Sequence, residues 1–169
     1  MTREALSFMR KQKQGVIVNI ASVGGRIGFP LYSLYQSTKW AVDGFSESLS
    51  FELQPLNIRV KIVEPGVIIT DFYTRSMEHI SEKEIPDYER VIRAVAKKRQ
   101  NSFLFGTGPE KAAKAIYKAA TDKNSRLRYP VGKDAKLLFF IRRILPYKVF
   151  NGILKSMLID KKELKKGTK

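Results

Sequence analysis

The hydrophobic positions of this chain follow two different periods, and the change from one to the other predicts alternating strands and helices. Residues 16–20 form a nearly unbroken apolar run rich in β-branched residues, which is typical of a strand covered on both faces. Between Ser33 and Leu53 the apolar residues recur at helical spacing, and a proline ends the pattern. Residues 58–63 alternate before a Glu-Pro-Gly turn and predict a second strand. A strand, a helix and a strand in this order predict a parallel sheet.

The second half of the chain carries the same two periods in shorter segments. Residues 70–105 mix charged helical stretches with scattered aromatic side chains, and a long excursion of this kind predicts a lid or a binding segment. The other predicted elements are a helix that starts within Gly106-Thr-Gly-Pro109, an edge-like strand over 126–132, two amphipathic helices over 137–145 and 149–158, and a frayed end over 161–169.

Length and composition are those of an ordinary globular domain. The chain has 169 residues, of which 43% are hydrophobic, and this is enough for a core. It contains no cysteine, so disulfides and thiolate metal sites are excluded, and its single histidine, His79, has no second ligand at metal spacing. The N-terminus has no signal-peptide pattern, and no apolar run reaches the roughly 20 residues that span a bilayer. We therefore expect no metal and a cytoplasmic location.

The charge is strongly basic and unevenly distributed. The formal net charge is +16, and residues 123–169 hold 14 basic residues against 3 acidic ones. A basic segment attracts anionic lipid or nucleic acid, or is simply solvated. No nucleic-acid-binding motif accompanies the charge, so we expect no nucleic-acid partner. Association with a membrane surface stays open.

Three polar residues stand out around a glycine-rich connector. Ser22 directly follows the first predicted strand, and Tyr35 and Lys39 lie four residues apart near the start of the long predicted helix. Residues four apart share a helix face, so the lysine ammonium lies beside the phenol and favours its ionised form. A tyrosine in this setting can give a proton to a substrate oxygen or take one from it. A serine after a strand is often only a helix cap, but at the carboxyl end of a parallel strand Ser22 can also hold that oxygen.

With these residues the chain resembles the short-chain dehydrogenase/reductase family, whose members are NAD(P)-dependent oxidoreductases of Rossmann type. The resemblance rests on three blocks in family order, 16–25, 35–49 and 58–70. It implies an α/β fold, namely the C-terminal half of a doubly wound parallel sheet followed by amphipathic helices. It also implies NAD or NADP as cofactor, a small-molecule alcohol or ketone as substrate, and a homo-oligomer. The Ser-Val-Gly-Gly connector is most similar to members that act on steroids and retinoids, so a lipophilic substrate is expected.

The resemblance also assigns roles by position. It implies that Tyr35 is the general acid/base, that Ser22 holds the substrate oxygen, and that Lys39 tunes Tyr35 and binds the nicotinamide ribose. Tyr35 and Lys39 are therefore expected to contact the cofactor as well. The loop that borders the nicotinamide is matched by Pro65, Gly66, Val67, Ile68 and Thr70.

Three features of the family have no counterpart here. The fingerprint Thr-Gly-x-x-x-Gly-x-Gly is absent, as are the Asn-Asn-Ala-Gly-type segment and the catalytic asparagine of the helix before the strand that leads to Ser22. The glycine-rich turn receives the cofactor pyrophosphate. We therefore expect a truncated chain, the C-terminal half of such an enzyme, which on its own binds NAD(P)H weakly or not at all. We divide it into a catalytic portion, 1–132, and a basic helical tail, 133–169.

The tail also suggests an alternative function. In that alternative the chain is a non-catalytic module that binds a membrane surface or another partner through the basic helices around Pro146. The structural explanation is that these helices close the substrate pocket or form an oligomer contact. Asp43, Glu47 and Glu52 are interpreted as a solvated helix face rather than as paired acids.

Overall fold

The computed structural model describes residues 2–72, 88–102 and 106–165, which form an α/β structure around a parallel sheet. The elements are α1 (Thr2–Gln12), β1 (Gly15–Ile20), α2 (Ser33–Leu53), β2 (Ile58–Pro65), α3 (Glu89–Ser102), α4 (Pro109–Thr121), β3 (Arg128–Val131), α5 (Lys133–Ile144), α6 (Tyr147–Leu158) and α7 (Lys161–Lys165). Short 3₁₀ turns lie at Val23–Gly25 and Gln54–Leu56. Within the described residues the strand order is β1-β2-β3, and both neighbouring pairs are parallel. The predicted fold class and parallel sheet are confirmed.

The two faces of the sheet are covered by different helices. On one face Ile17 and Val60, which are partners in register, pack against α2. On the other face Val63 and Tyr129, also partners in register, pack against Ala119 of α4. Side chains alternate along a strand, so β1 and β2 each contribute to both hydrophobic layers. This explains why residues 16–20 are apolar at nearly every position.

The central strand β2 buries a lysine. The alternation over 58–63 gives no sign of this, yet Lys61 is completely buried. Its ammonium donates hydrogen bonds to the backbone carbonyl oxygens of Asn124, at 2.5 Å, and Arg126, at 2.9 Å. Burial lowers the pKa of Lys61, and the nearby Asp122 carboxylate opposes that shift. The lysine therefore fixes the loop that leads into β3.

The last helices pack on the connector that follows β1. Val23 and Ile27 of the connector share a hydrophobic cluster with Ala135 of α5 and with Phe150 and Leu154 of α6. The predicted amphipathic helices are thus present, and their inner faces cover the carboxyl end of the sheet. The division at residue 132 stays a prediction.

Two predictions for the remaining segments have different outcomes. The prediction that residues 161–169 are frayed is wrong as far as residue 165, because Lys161–Lys165 form α7. The Lys97 ammonium of α3 donates a hydrogen bond to the Glu163 carboxylate of α7 at 2.8 Å. Residues 166–169 lie outside the described residues. Residues 73–87, which include His79, and residues 103–105 also lie outside the described residues. The lid or binding segment expected over residues 70–105 therefore stays a prediction. No helix within the described ranges is long and apolar enough to cross a bilayer.

Candidate active site

Ser22 lies where β1 ends and the 3₁₀ turn begins. Its Oγ accepts a hydrogen bond from the Gly24 N–H at 3.1 Å, so it caps the 3₁₀ turn. The Ser22 Oγ lies 3.4 Å from the carbonyl oxygen of Pro65, to which the hydroxyl can donate a hydrogen bond. Hydroxyl hydrogen bonds are normally about 2.5–3.0 Å long, so this second contact is weak. The structural explanation for Ser22 as a cap is therefore correct, and its proton remains available for a stronger acceptor.

Lys39 connects the helix that carries Tyr35 with the strand that leads to Ser22. The Lys39 ammonium donates a hydrogen bond to the carbonyl oxygen of Ile20 at 3.1 Å. It lies 5.9 Å from the centroid of the Tyr35 ring. Burial lowers the pKa of Lys39. Since Ile20 is two residues before Ser22, the helix face with Tyr35 and Lys39 is held against the carboxyl end of β1.

The Tyr35 ring is half-buried between two other aromatic rings. The Tyr32 ring meets it edge-on with centroids 6.2 Å apart, and the Phe72 ring is tilted against it at 5.8 Å. Both distances are in the range of favourable aromatic pairs, about 4.5–7 Å. Phe72 comes from the segment after β2, so the chain that follows the candidate loop reaches Tyr35. The ring is thereby fixed in orientation.

Gln36 ties the glycine-rich connector to the same helix, and sequence reasoning missed it. Its side chain is only 7% exposed. The amide donates to the carbonyl oxygen of Ile27 at 2.6 Å and accepts from the N–H of Phe29 at 3.0 Å. The close packing of the connector on α2 explains why position 25 is a glycine, since a Cβ at Gly25 would lie 3.0 Å from the carbonyl oxygen of Lys39. Nothing in the sequence around Tyr35 indicates that Gln36 binds the backbone of the connector.

The loop after β2 is held by side chains from distant elements. The N–H of Gly66 donates to the carbonyl oxygen of Val131 at 2.9 Å. The N–H of Val67 donates to the Asp134 carboxylate at 2.7 Å. Asp134 lies in the first turn of α5, so α5 positions this loop directly. No motif in the sequence pointed to Asp134.

Thr107 extends this loop as if it were a strand. Its N–H donates to the carbonyl oxygen of Val67 at 2.8 Å, and its own carbonyl accepts from the N–H of Ile69 at 2.9 Å. In a parallel bridge of this kind the N–H and C=O of the intervening residue, Ile68, point away from Thr107. Further along, Thr70 Oγ1 accepts a long contact from the N–H of Phe72, at 3.4 Å. The loop thus presents backbone polar groups on the side opposite Thr107.

A buried ionic network lies beneath the site and corrects the interpretation of the α2 acids. Asp43 is 3% exposed and pairs with Arg128 of β3. Arg128 also pairs with Glu47 at 2.8 Å and with Glu64 at 3.2 Å. Arg26 of the connector reaches Glu64 at 3.3 Å. The solvated-face interpretation is therefore wrong for Asp43, which is buried against an arginine that only the fold brings near, whereas Glu47 and Glu52 are exposed as expected.

Glu64 is the most buried acid of this network. Its side chain is inaccessible to solvent, and it immediately precedes Pro65 of the candidate loop. Burial raises the pKa of Glu64, while Arg26 and Arg128 act in the opposite direction. The two arginines explain how a carboxyl group can be buried at this position, because buried charges need charged partners.

The described residues thus place a tyrosine, a lysine and a serine on adjoining elements at the carboxyl end of a parallel sheet. Residues 1–81 match the model of the short chain dehydrogenase family. This chain belongs to that family of oxidoreductases.

Individual relatives cover most of the chain. The uncharacterized oxidoreductase YusZ of Bacillus subtilis is 34% identical over 167 residues, which are 95% of this chain and 58% of that protein. Retinol dehydrogenase 8 of Bos taurus is 32% identical over 135 residues, 76% of this chain and 43% of the relative. The chain spans about half the length of the curated relatives it matches.

Solved structures agree with this assignment. A short-chain dehydrogenase from Streptomyces avermitilis has 33% identity and a TM-score of 0.68, and the match covers 99% of this chain and 57% of the other. ElxO, solved with NADP bound, has 30% identity and a TM-score of 0.56, with 76% of this chain and 49% of the other covered. The Rossmann-type α/β fold is therefore established over nearly the whole chain.

Proposed function

We infer that this chain carries the acid/base side of an NAD(P)-dependent oxidoreductase that interconverts a lipophilic alcohol and the corresponding carbonyl compound. The observation that supports this most directly is the position of the Lys39 ammonium, which bonds to the strand end before Ser22 and lies 5.9 Å from the Tyr35 ring centroid. Family membership supports the reaction class. The bound NADP of ElxO and the name of retinol dehydrogenase 8 support the cofactor and the lipophilic substrate.

The chemistry assigns one task to each side chain. In the reducing direction Tyr35 donates its hydroxyl proton to the substrate oxygen, and Ser22 donates a hydrogen bond to the same oxygen. The Lys39 ammonium stabilises the phenolate that is left on Tyr35, because opposite charges at short distance attract more strongly where water is partly excluded. Solvent then returns a proton to Tyr35. When bound, the nicotinamide cofactor supplies or accepts the hydride.

The residues that would hold the cofactor fit this role chemically. Lys39 uses one of its three N–H groups on Ile20, which leaves donors for ribose hydroxyls. The N–H and C=O of Ile68 face away from Thr107 and would meet a polar group such as the nicotinamide carboxamide. Pro65, Gly66, Val67 and Thr70 would complete the border of this site. The two side chains that hold this loop, Asp134 and Thr107, would act by positioning it.

A homo-oligomer is the assembly that we propose for the full-length protein. Leu34 and Phe45 are three helical turns apart on α2 and are 83% and 52% exposed, and Trp40 and Phe51 add further exposed apolar surface. Burying this surface against a second copy would remove it from water. Light scattering should give a mass above that of one chain, and a monomeric mass would contradict the proposal.

The activity is tested with Tyr35→Phe, which removes only the hydroxyl. The full-length protein is assayed with lipophilic aldehydes and ketones and with NADPH or NADH, since this chain on its own is expected to bind the cofactor weakly or not at all. Loss of an acid/base group reduces turnover by about 10²–10⁴-fold. The matched control is Tyr117→Phe, because Tyr117 is 71% exposed on α4. Absence of carbonyl-dependent oxidation in the wild type, or equal rates in Tyr35→Phe, would overturn the proposal.

A further inference from the structure

Helix α5 has apolar residues on two opposite faces. Its inner face contributes Ala135 to the hydrophobic cluster beneath the connector. The outer face carries Leu137, Phe140 and Ile144, which are 57%, 61% and 57% exposed. Their spacing of three and four residues puts them on one stripe, opposite the buried side. Packing within the described fold therefore accounts for only one of the two apolar faces.

Cations flank this outer stripe. Lys133, Lys136 and Arg143 are all exposed. On the helical wheel Lys133 lies at the N-terminal end of the stripe, and Lys136 and Arg143 lie along one margin of it. From residue 135 to residue 159 the sequence contains five basic residues and no acidic residue. An exposed apolar stripe with cations at its margins is the surface that an interfacial helix presents to anionic lipid.

Helix α6 carries a second exposed apolar stripe on the other side of Pro146. Val149, Ile153 and Met157 recur every four residues and are 49%, 40% and 56% exposed. The exposed cations of this helix are Lys148 and Lys155. Since none of the helices in the described ranges can cross a bilayer, contact with lipid through α5 and α6 would lie in the plane of the membrane surface.

Charge decides between the candidates for covering this surface. A second copy docked through this same face would set its own Lys133, Lys136 and Arg143 against these cations, and like charges repel. A contact through α2 would not bring these cations together. An anionic polymer such as nucleic acid would match the charge but would leave the apolar stripes in water. An anionic bilayer satisfies both features, because its headgroups pair with the cations while its acyl boundary takes the apolar side chains.

We propose that the outer faces of α5 and α6 form a docking surface for an anionic lipid bilayer. The inference is independent of the proposed oxidoreductase activity, because it rests on the exposed side of the helices and its test needs no turnover. For an enzyme with a lipophilic substrate, docking would bring the chain to the phase in which that substrate is dissolved.

The test measures co-sedimentation of the whole chain with phosphatidylcholine vesicles that contain or lack phosphatidylserine. We expect at least about tenfold stronger binding to the anionic vesicles and its loss at high salt, since screening shortens the reach of surface charges. Lys133→Gln, Lys136→Gln and Arg143→Gln combined should abolish the preference. Lys111→Gln, Lys114→Gln and Lys118→Gln combined are the matched control, because they remove the same charge from exposed positions of α4.

Contact between the apolar stripe of α5 and the acyl chains of the bilayer is tested with tryptophan fluorescence. The single tryptophan is removed by Trp40→Phe, and a new one is introduced by Phe140→Trp or, as control, by Phe51→Trp at a position that is 70% exposed on α2. Brominated lipids should quench the fluorescence of the Phe140→Trp protein and leave that of the Phe51→Trp protein unchanged. Equal quenching of the two tryptophan variants would overturn the proposal, as would equal loss of binding in the two charge-removal variants. Binding without preference for anionic lipid, or retention on RNA instead of vesicles, would also overturn it.

Discussion

Gln36 shows how much of the site geometry depends on a single amide. It lies next to Tyr35 and makes two hydrogen bonds to the backbone of the connector, at Ile27 and Phe29. Both backbone groups are in a region where water does not replace a lost partner, since Gln36 is buried. One side chain without a proposed catalytic role therefore ties the connector to the helix that carries Tyr35.

Gln36→Leu should lower the free energy of unfolding by about 2–4 kcal/mol, because it leaves a buried donor and a buried acceptor unpaired. The measurement is urea denaturation. Ser37→Ala is the matched control, since Ser37 is exposed on the same helix and should change stability by less than about 0.5 kcal/mol. Equal effects of the two substitutions would show that the connector does not depend on the amide.

The burial of Glu64 predicts that the free energy of unfolding depends on pH. Because burial raises the pKa of Glu64, the folded state holds this proton more tightly than the unfolded state does. Its contribution to stability therefore falls as pH rises from the ordinary value of 4.5 through the raised value in the folded protein. Other acids shift in the opposite direction, so a difference between two proteins is the informative quantity.

The difference in unfolding free energy, Glu64→Gln minus wild type, should increase as pH rises through this window. The pairs with Arg26 and Arg128 strengthen as Glu64 ionises and oppose this slope, so its sign reports the net direction of the Glu64 pKa shift. Urea denaturation of both proteins at several pH values between 4 and 7 measures it. A difference that is flat or decreases with pH would contradict the raised pKa.

At the scale of elements, β3 and α5 are joined by a turn that only glycine accommodates well. Gly132 has φ of +99°, and a Cβ there would lie 3.2 Å from Thr107 Oγ1. The next turn of chain places Asp134 against the N–H of Val67. A change at Gly132 is therefore transmitted to the loop that borders the candidate cofactor site.

Gly132→Ala should destabilise the protein by about 1–3 kcal/mol, because a side chain rarely adopts this backbone conformation. Gly152→Ala serves as control: Gly152 lies inside α6 and a Cβ there meets nothing within 4 Å. This second change should be stabilising by about 0.5–1 kcal/mol, since alanine favours helices. Thermal unfolding of both variants tests the opposite signs, and shifts in the same direction would refute the argument.

At the scale of the whole molecule, the C-terminal helices and the connector share one hydrophobic cluster. Phe150 of α6 is 3% exposed and packs there with Val23 and Ile27. The basic segment of the sequence is thus built into the same core that supports Ser22. This coupling predicts that a destabilising change in α6 also destabilises the connector that follows Ser22.

Phe150→Ala should cost about 3–5 kcal/mol and should speed amide hydrogen exchange in residues 22–28 as well as in α6. Val149→Ala is the neighbouring control, because Val149 is 49% exposed. Exchange that is accelerated in α6 alone would show that the tail unfolds independently of the connector.

Much of this architecture could be predicted from local patterns. The strand at 16–20, the helix at 33–53, the strand from 58 and the amphipathic pair around Pro146 all appear near the predicted bounds. Each is specified by a hydrophobic period within one segment, and the burial that the period implies is realised wherever the segments pack. The spacing of Tyr35 and Lys39 is likewise fixed by the helix itself.

The sequence by itself therefore determined the family, the parallel sheet and the identity of the candidate catalytic residues. Only the tertiary structure decided that Lys61 is buried under the loop before β3, that Asp43 and Glu47 pair with Arg128, and that Asp134 holds the loop at Val67. The physical reason is that a periodic pattern records contacts along one element, whereas the partner of a charged or polar side chain can lie anywhere in the chain. In this protein those partners are separated by 63 to 85 positions, and no local pattern links them.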